Sequence, residues 1–344
     1  MIHLAVVGVG YWGPNLVRNL ASLKHVNVSA LCDLDARRAE EVRQRFCPEA
    51  RVVHDYRELL ADPQVDAVVI ATPLRTHFEL GRAFLAAGKH TFIEKPLAQT
   101  VDECQALIEL SERHQRVLMV GHVFEYNAAV RRIKQYLDQD ELGRLLYVYS
   151  QRVNLGRIQN DVNALWSFAP HDVSIMNYWL GQEPVRVSAR GFSYLNNGIE
   201  DVVFVVLEYP GGVGVHLHLA WLDPRKVRLM SLVGSKKMLV YDDVSQDTKI
   251  QIYDKGIARL DDFLKSPETF AEFQFQTRVG DVVIPRLQFD EPLQGECQHF
   301  IDCIREGRQP LTDGDCGLRV VKVLQAAERS LRQDGRPVEL STAR

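Results

Sequence analysis

Residues 4–15 read LAVVGVGYWGPN, a short apolar run followed at once by three glycines with the spacing G-x-G-x-x-G. The run predicts a buried strand and the next residues predict a helix, so the glycines form the turn between them. Gly8 allows a tight turn, Gly10 lets the backbone approach a pyrophosphate, and Gly13 permits close packing of helix and strand. N–H groups at the helix start also favour phosphates. The stretch predicts a dinucleotide-binding turn; the alternative is a glycine-rich turn without a ligand.

An acidic residue stands where such a turn needs one. Asp33 ends the next apolar run, 20 residues after Gly13. A carboxylate at this point bonds the ribose hydroxyls of an adenosine and repels a 2′-phosphate, which predicts NAD as the cofactor. Arg37 and Arg38 keep NADP open as the alternative, because a nearby basic residue can accept that phosphate. Without a nucleotide, Asp33 would be an ordinary turn residue.

The first 121 residues alternate apolar runs with helical patterns. The runs lie at 4–7, 26–32, 67–71, 90–93 and 117–120, and the helices at 36–46, 76–87 and 100–114, the last of which opens with a capping box. Such runs are typical of strands buried on both faces, and strand–helix alternation predicts a parallel sheet. Residues 1–121 are therefore predicted to form an α/β dinucleotide-binding domain.

The pattern changes after residue 121. A helix is predicted at 125–137, and strands are predicted at 145–153, 185–192, 202–209, 214–221, 227–233 and 238–241. Two helices, at 296–306 and 317–333, close the chain. Consecutive strands without intervening helices predict a mostly antiparallel sheet. Residues 122–344 are therefore predicted to form a second, α+β domain for substrate binding and oligomerisation.

The composition is that of an ordinary globular protein of about two domains. The 344 residues include 41 basic and 45 acidic side chains, a net charge of −4, which predicts neither a nucleic acid partner nor membrane-surface binding. No apolar stretch approaches the roughly 18 residues of a membrane-spanning helix, and the N-terminus lacks the basic region of a signal peptide. The six cysteines are scattered without a C-x-x-C, which predicts reduced thiols and a cytoplasmic protein.

Polar residues follow two of the predicted strands at their carboxyl ends, the edge where open parallel sheets bind ligands. Thr72 and Pro73 follow the third run, and Glu94 and Lys95 follow the fourth. A lysine there can bond a substrate hydroxyl and stabilise developing alkoxide charge; the alternative is a surface lysine before a turn. His77 either contacts the ribose on the nicotinamide side or simply begins a helix.

These motifs resemble those of the Gfo/Idh/MocA oxidoreductases, named after glucose–fructose oxidoreductase and inositol dehydrogenase. The resemblance rests on GVGYWG (8–13), ATPLRTH (71–77) and EKP (94–96), and it covers essentially the whole chain. It implies a Rossmann domain followed by a domain with a large open sheet. Because oligomers of the family commonly form through that sheet, a homodimer or homotetramer is expected. The resemblance also implies that Lys95 is a catalytic-site lysine and that its peptide bond to Pro96 is cis.

The same resemblance selects a histidine in the second domain. The family places a histidine on a helix in the pattern D-x-x-x-H, which His171 matches, although Ser167 stands where the aspartate is usual. Imidazole, with a pKa near 6.5, is a suitable acceptor for the proton that an alcohol releases on oxidation. The alternative is a histidine near a helix start that bonds only to the backbone.

Two stretches, GYWGPN (10–15) and WSFAPHD (166–172), most resemble the nucleotide-sugar branch of the family. That branch implies NAD-dependent oxidation of the C3 hydroxyl of a UDP-N-acetylated hexosamine, with UDP-N-acetylglucosamine as the first choice. The 3-keto product would feed a pyridoxal-phosphate aminotransferase in lipid A or surface polysaccharide synthesis. A UDP-hexosaminuronate or another sugar or polyol is the alternative substrate. From a different class, a non-catalytic dinucleotide-sensing protein stays open.

The expected site has three groups of residues. Lys95 and His171 are the expected catalytic pair. The expected cofactor-binding residues are Gly8, Gly10, Tyr11, Trp12, Gly13, Asp33, Thr72, Pro73, His77, Glu94 and Lys95. The expected substrate-binding residues are Lys95, His122, Tyr126, Arg152, Asn154, Arg157, Asn163, His171 and Asp172, of which Arg152 or Arg157 would bond a diphosphate. No metal is expected, because His216 and His218 lie on one strand face without further ligands at useful spacing.

Overall fold

A computed structural model describes residues 1–156, 162–195, 198–259, 275–288 and 290–340, without the side chains of 257–259 and 275–278. The chain divides into two compact units: residues 1–127 with 289–325, and residues 128–288 with 326–344. The predicted boundary after residue 121 stays a prediction about domains. The chain passes from the first compact unit to the second after residue 127, and the first unit also includes residues 289–325.

The first unit contains a parallel sheet whose strand order reverses at its centre. Its strands are β1 (Ile2–Val7), β2 (Val26–Cys32), β3 (Arg51–Val53), β4 (Ala67–Ile70), β5 (His90–Glu94) and β6 (Leu118–Gly121), in the order β3-β2-β1-β4-β5-β6. The parallel sheet predicted from the apolar runs is confirmed. The short β3 lies outside the predicted runs, because three residues with an exposed arginine carry no apolar signal. The reversal between β1 and β4 creates the crevice where such sheets bind ligands.

Helices α1 (Gly13–Ser22), α2 (Ala36–Phe46), α3 (Arg57–Leu60), α4 (His77–Ala86) and α5 (Val101–Arg113) connect these strands. The predicted capping box at α5 is present: the Glu103 backbone N–H donates to Thr100 Oγ1 at 3.2 Å, and Glu103 Oε2 accepts from the Thr100 backbone N–H at 3.2 Å. The helix therefore starts where its sequence satisfies two otherwise unpaired backbone donors.

The second unit is built on helices α6 (Ala128–Asp138) and α7 (Ala164–Leu180) and on a large open sheet. Its described strands are β7 (Leu145–Val153), β8 (Arg186–Phe192), β9 (Val202–Tyr209), β10 (Val213–Ala220), β11 (Val227–Gly234), β12 (Met238–Asp242), β13 (Ile250–Arg259), β14 (Phe275–Val283) and β15 (Val338–Glu339). They follow the order β14-β13-β12-β11-β7-β10-β9-β8-β15, antiparallel except for β7 and β10. The predicted mostly antiparallel sheet is confirmed, and β13 to β15 extend it beyond the predicted strands.

The closing helix α8 (Pro292–Glu306) completes the core of the first unit, whereas α9 (Gly314–Arg332) begins in the first unit and ends in the second. Phe300 of α8 is fully buried and packs edge-on against Phe92, with ring centroids 5.7 Å apart. Just before α9, the Thr312 carbonyl accepts from the Val120 backbone N–H at 2.7 Å. Both helices were expected in the second domain, because order along the sequence alone does not show that α8 and the first part of α9 return to the first unit.

No helix of the described ranges is both long enough and apolar enough to cross a membrane.

Candidate active site

The glycine-rich loop lies between β1 and α1, and the surroundings of its three glycines differ. Gly8 has φ +90°, and a Cβ there would lie 2.8 Å from the Ala71 carbonyl. A Cβ on Gly13 would lie 2.3 Å from the Gly8 oxygen. At Gly10 the nearest atom to such a Cβ is Arg38 Nη1 at 3.9 Å, so the described chain does not itself require glycine there. A ligand that approaches the backbone closely would require glycine at residue 10. The loop therefore fits a dinucleotide pyrophosphate.

Asp33, at the end of β2, anchors this loop. Its Oδ2 accepts from the Val9 backbone N–H at 2.8 Å, and its Oδ1 accepts from the Asp35 backbone N–H at 2.9 Å. Arg38 Nη1 lies 3.9 Å from the same Oδ1. Each carboxylate oxygen can accept more than one hydrogen bond, so these contacts leave capacity for ribose hydroxyls. Ribose binding by Asp33 stays a prediction.

His77 is the first residue of α4 and is 2% exposed. Its Nδ1 lies 2.8 Å from the Pro96 carbonyl and its Nε2 lies 2.9 Å from the Thr72 carbonyl. Burial lowers the pKa of His77, and a neutral imidazole has one N–H to donate to either carbonyl. The side chain thus links the loop after β4 to the loop after β5. The predicted contact of His77 with a ribose stays untested, as do those of Thr72 and Pro73.

Glu94 ends β5 at the same sheet edge, and Lys95 follows it. Trp12 Nε1 of the glycine-rich loop donates to Glu94 Oε1 at 2.8 Å, and the Lys95 backbone N–H donates to Glu94 Oε2 at 3.3 Å. The Lys95–Pro96 peptide is cis, as the family resemblance implies. Burial raises the pKa of Glu94 to about 7, although Lys95 and the Trp12 bond favour its ionised form. Tyr11, in contrast, is 85% exposed.

His122 follows β6 and faces the charge of Lys95. The side chain is buried, and neither ring nitrogen has a hydrogen-bond partner within the described part of the chain. Burial, with a smaller contribution from Lys95, lowers the pKa of His122 to about 3. A neutral imidazole offers one donor and one acceptor, the complement of a carboxamide. Because buried polar atoms nearly always have partners, His122 fits a bound nicotinamide or substrate.

Two buried acids lie behind this edge, and sequence reasoning did not select either of them. Cys316 Sγ donates to Glu125 Oε1 at 3.4 Å. Glu296 is fully buried, and its two oxygens have no hydrogen-bond partner within the described ranges. Burial and the neighbouring acids Glu94 and Glu125 raise the pKa of Glu296 well above its ordinary value. The burial of Glu296 could have been predicted from helical spacing, because Glu296 shares a face of α8 with the apolar Leu293 and Phe300.

Tyr126, a predicted substrate contact, is engaged within the first unit. It is 8% exposed. Its hydroxyl lies 3.3 Å from Thr312 Oγ1, and its ring packs against His299 with centroids 5.5 Å apart. Its role toward a substrate stays a prediction.

The second unit carries the predicted histidine on α7. Asn163 starts this helix: its side-chain oxygen accepts from the Trp166 backbone N–H at 3.1 Å, and its amide donates to Glu200 Oε2 at 2.8 Å. His171 is half-buried. Ser167 lies one turn earlier on the same helix face. Asn163 thus caps the helix and also bonds to Glu200, and its contact with a substrate stays a prediction.

Arg152 on β7 and Asp172, the residue after His171, form a buried ion pair. Arg152 is 4% exposed and Asp172 is fully buried. Arg152 Nε donates to Asp172 Oδ1 at 2.8 Å, and Nη2 lies 2.7 Å from the same oxygen. The pair ties α7 to β7, which fixes the helix that carries His171. The predicted diphosphate contact of Arg152 is untested.

The remaining predicted substrate residues lie after β7. Asn154 is partly buried, and its backbone N–H donates to the Ala220 carbonyl at 3.1 Å. Arg157 lies outside the described residues. The first unit thus brings together Lys95, His122 and the glycine-rich loop, and the second carries His171. The meeting of Lys95 and His171 stays a prediction.

The histidines of β10 pack on aromatic rings. The His218 ring stacks on Phe204 with centroids 4.7 Å apart, and the His216 ring stacks on Tyr149 at 5.7 Å. Across the described ranges, no three or more His, Cys, Asp or Glu side chains are grouped to hold a metal ion.

Two family models match the chain. The oxidoreductase family with an NAD-binding Rossmann fold matches residues 2–122, and the GFO/IDH/MocA C-terminal domain matches residues 130–240. The chain belongs to the Gfo/Idh/MocA oxidoreductase family. Membership confirms the resemblance drawn from the sequence motifs, and it confirms NAD as the cofactor of the Rossmann fold in the first unit.

Relatives of this Gfo/Idh/MocA chain are named as dehydrogenases of inositols or of a nucleotide sugar. Inositol 2-dehydrogenase of Salmonella paratyphi B is 29% identical over 220 residues, 62% of this chain and 66% of that enzyme's length. The scyllo-inositol 2-dehydrogenase (NAD(+)) of Bacillus subtilis is 28% identical over 100% of this chain and 97% of that enzyme. UDP-N-acetylglucosamine 3-dehydrogenase of Acidithiobacillus ferrooxidans is 26% identical over 93% of this chain and 95% of that enzyme. A solved structure of the last enzyme has a TM-score of 0.79 at 25% identity, covering 97% of this chain and 99% of that one.

Proposed function

We propose that this protein is an NAD-dependent dehydrogenase that oxidises a secondary alcohol on a sugar or polyol ring. The observation that carries the proposal is the arrangement at one sheet edge. A glycine-rich loop with open space at Gly10 lies there with Glu94, Lys95 and the imidazole of His122, which has no hydrogen-bond partner among the described residues. A binding protein that only senses the dinucleotide would need no lysine at this position.

The residues have distinct roles in this proposal. Bound NAD supplies the hydride acceptor. Lys95 bonds the alcohol oxygen and stabilises the negative charge that develops on it, while His171 accepts the hydroxyl proton. Asp33 binds the adenosine ribose, and His122 bonds the carboxamide or the substrate. The ion pair of Arg152 and Asp172 holds the helix that presents His171.

The first candidate substrate is UDP-N-acetylglucosamine, oxidised at its C3 hydroxyl. The GYWGPN and WSFAPHD stretches support it, together with the similarity to the Acidithiobacillus enzyme over 93% of the chain. A cyclic polyol of the inositol class is the second candidate, because the Bacillus scyllo-inositol enzyme matches the whole chain at 28% identity. A UDP-hexosaminuronate is a variant of the first candidate.

We further propose a place for the reaction in a sequence. Oxidation of an alcohol by NAD is generally unfavourable at neutral pH, so a following enzyme has to remove the ketone. A pyridoxal-phosphate aminotransferase that converts the 3-keto sugar to a 3-amino sugar, for lipid A or surface polysaccharide, would do so. The six free cysteines fit a reducing compartment such as the cytoplasm.

Assembly through the open sheet of the second unit is part of the same proposal. Tyr147, Phe192 and Val206 are 52%, 44% and 41% exposed on this sheet. Exposed apolar patches on a folded unit commonly mark an interface with another protein chain. We propose a second copy of this chain as the partner, giving a homodimer or a homotetramer.

The deciding experiment is a screen of substrates with the purified protein. UDP-N-acetylglucosamine, its uronate and the inositols are each incubated with NAD and, separately, with NADP, and nicotinamide absorbance is followed. Reduction of NAD by a UDP-sugar supports the first candidate, and reduction by an inositol supports the second. Tight NAD binding without turnover on any sugar or polyol would instead favour a dinucleotide-sensing protein.

A further inference from the structure

Glu94 lies where three parts of the first unit meet. Its carboxylate accepts from Trp12 of the glycine-rich loop at 2.8 Å, and it accepts from the Lys95 backbone at 3.3 Å. In the β5–β6 register Glu94 pairs with Gly121, and a Cβ on Gly121 would lie 3.0 Å from Glu94 Cδ. The missing side chain at residue 121 therefore makes room for this carboxyl group.

The surroundings of Glu94 are unusual for an ionised carboxylate. Glu94 is partly buried, and Glu296 behind it is fully buried with no hydrogen-bond partner in the described part of the chain. The titratable or charged groups around these two acids are Lys95, His122, Glu125, Tyr126, Cys297 and Cys316. In this group Lys95 favours an ionised Glu94, whereas burial and the other acids favour protonated carboxyls.

The oxidised nicotinamide ring carries a positive charge, which the reduced ring lacks. We propose that Glu94 is a counter-ion for the oxidised ring, ionised while the ring is positive and protonated from water once the ring becomes neutral. The inference rests on the proposed function, which sets the nicotinamide at the sheet edge of Lys95. It adds a charge-compensating role for Glu94 that the lysine and the histidine do not fill.

The balance of the reaction accommodates this proton. The C–H bond of the alcohol carbon breaks, and its electron pair forms a new C–H bond on the nicotinamide. The hydroxyl proton goes to His171. The proton on Glu94 comes from solvent, and it replaces the positive charge that the ring has lost. The pKa of Glu94, raised by burial to about 7, lets both forms exist near neutral pH.

The test is a proton count by calorimetry rather than an activity assay. Binding of NAD⁺ and of NADH to the wild-type protein is measured at pH 7 in two buffers with different heats of ionisation. We expect NAD⁺ binding to release up to about one proton more per site than NADH binding, because Glu94 is ionised beside the positive ring and protonated beside the neutral one. The affinity for NAD⁺, relative to NADH, should then rise with pH through 7.

Two variants locate the effect. Glu94→Gln keeps the size of the side chain and an acceptor for Trp12 but cannot ionise, so the difference between the two cofactors should disappear. Glu109→Gln, on the exposed face of α5, should keep it. Equal proton counts for NAD⁺ and NADH in the wild type, or a difference that persists in Glu94→Gln, would overturn the inference. The wild-type comparison needs no variant, and a failure of the protein to bind NAD at all would overturn the proposed function as well.

Discussion

Trp12 and Glu94 are joined by a hydrogen bond of 2.8 Å from the indole Nε1 to a carboxylate oxygen, across 82 residues of sequence. The bond ties the loop that fits a pyrophosphate to the residue next to Lys95. The glycine-rich loop and the position of the lysine are therefore mechanically connected within the first unit.

Replacing Trp12 by Phe removes this donor and keeps an aromatic ring. Because the bond favours the ionised form of Glu94, its loss should raise the pKa of Glu94 above about 7. A hydrogen bond to a charged group contributes about 1.5–3 kcal/mol, which corresponds to about one pH unit or more. The pH dependence of NAD⁺ affinity should shift upward accordingly. Tyr194→Phe, at a residue that is 68% exposed in the second unit, is the control, and an unshifted profile in Trp12→Phe would contradict the prediction.

The glycines at 10 and 13 should separate binding from stability. Gly13→Ala puts a Cβ 2.3 Å from the Gly8 oxygen, so we expect a loss of about 1–3 kcal/mol in the free energy of unfolding. Gly10→Ala meets no atom closer than 3.9 Å and should leave stability within about 0.5 kcal/mol. Its affinity for NAD should nevertheless fall about tenfold or more, or about 1.4 kcal/mol. Thermal melts and calorimetry check the pair; unchanged NAD affinity in Gly10→Ala would count against a pyrophosphate at this loop.

His171→Ala tests the proposed proton acceptor. Proton transfer by a positioned side chain contributes about 10²–10⁴-fold to rate, so kcat should fall by that factor while NAD affinity stays near that of the wild type. The matched control is His25→Asn, which keeps the left-handed backbone of an exposed residue in the first unit. Normal turnover in His171→Ala would remove the imidazole from the mechanism.

Glu296→Gln should change how stability depends on pH. Burial and Glu94 hold the pKa of Glu296 well above its ordinary value of 4.5. From pH 4.5 upward the unfolded chain releases this proton while the folded protein keeps it, so the free energy of unfolding falls as pH rises through that window, by at most about 1.4 kcal/mol per pH unit. The glutamine variant lacks this contribution, so its Tm should decline less with pH than that of the wild type. Parallel curves of Tm against pH for the two proteins would refute it.

Tyr147→Glu tests assembly through the open sheet. Tyr147 is 52% exposed on β7, so the substitution should leave folding intact while adding a charge to the proposed interface. We expect a smaller particle by light scattering than for the wild type. Asp247→Asn, at an exposed residue between β12 and β13, is the control. An unchanged mass for Tyr147→Glu would place the contact elsewhere.

Much of the fold could be predicted because its local signals are strong. Strands β1, β4, β5 and β6 are mostly buried on both faces, β2 is buried mainly at its carboxyl end, and all five read as apolar runs. The strands from β7 to β12 alternate between buried and partly exposed side chains, and their predicted bounds lie close to those observed. The short β3 and the strands after residue 250 lack such signals and were not predicted.

The candidate site likewise contains residues that local sequence patterns predict and residues that only the tertiary structure brings together. Gly8, Gly13 and Asp33 follow from spacing alone, because the strand–turn–helix unit fixes their positions. The bond from Trp12 to Glu94 depends on a tertiary contact that no local pattern contains, whereas the burial of Glu296 is indicated only by its helical spacing from Leu293 and Phe300. The return of α8 to the first unit, which places Glu296 near Glu94, is a property of the topology rather than of any single motif.

Asp33 has a consequence for any redesign of cofactor preference. Its two oxygens hold the backbone amides of Val9 and Asp35, so the group expected to discriminate against NADP is also a support of the turn. A substitution that makes space for an extra phosphate also releases the Val9 amide. An engineer would first have to supply new acceptors for both amides, because the carboxylate oxygens expected to select NAD over NADP also hold the backbone of the turn.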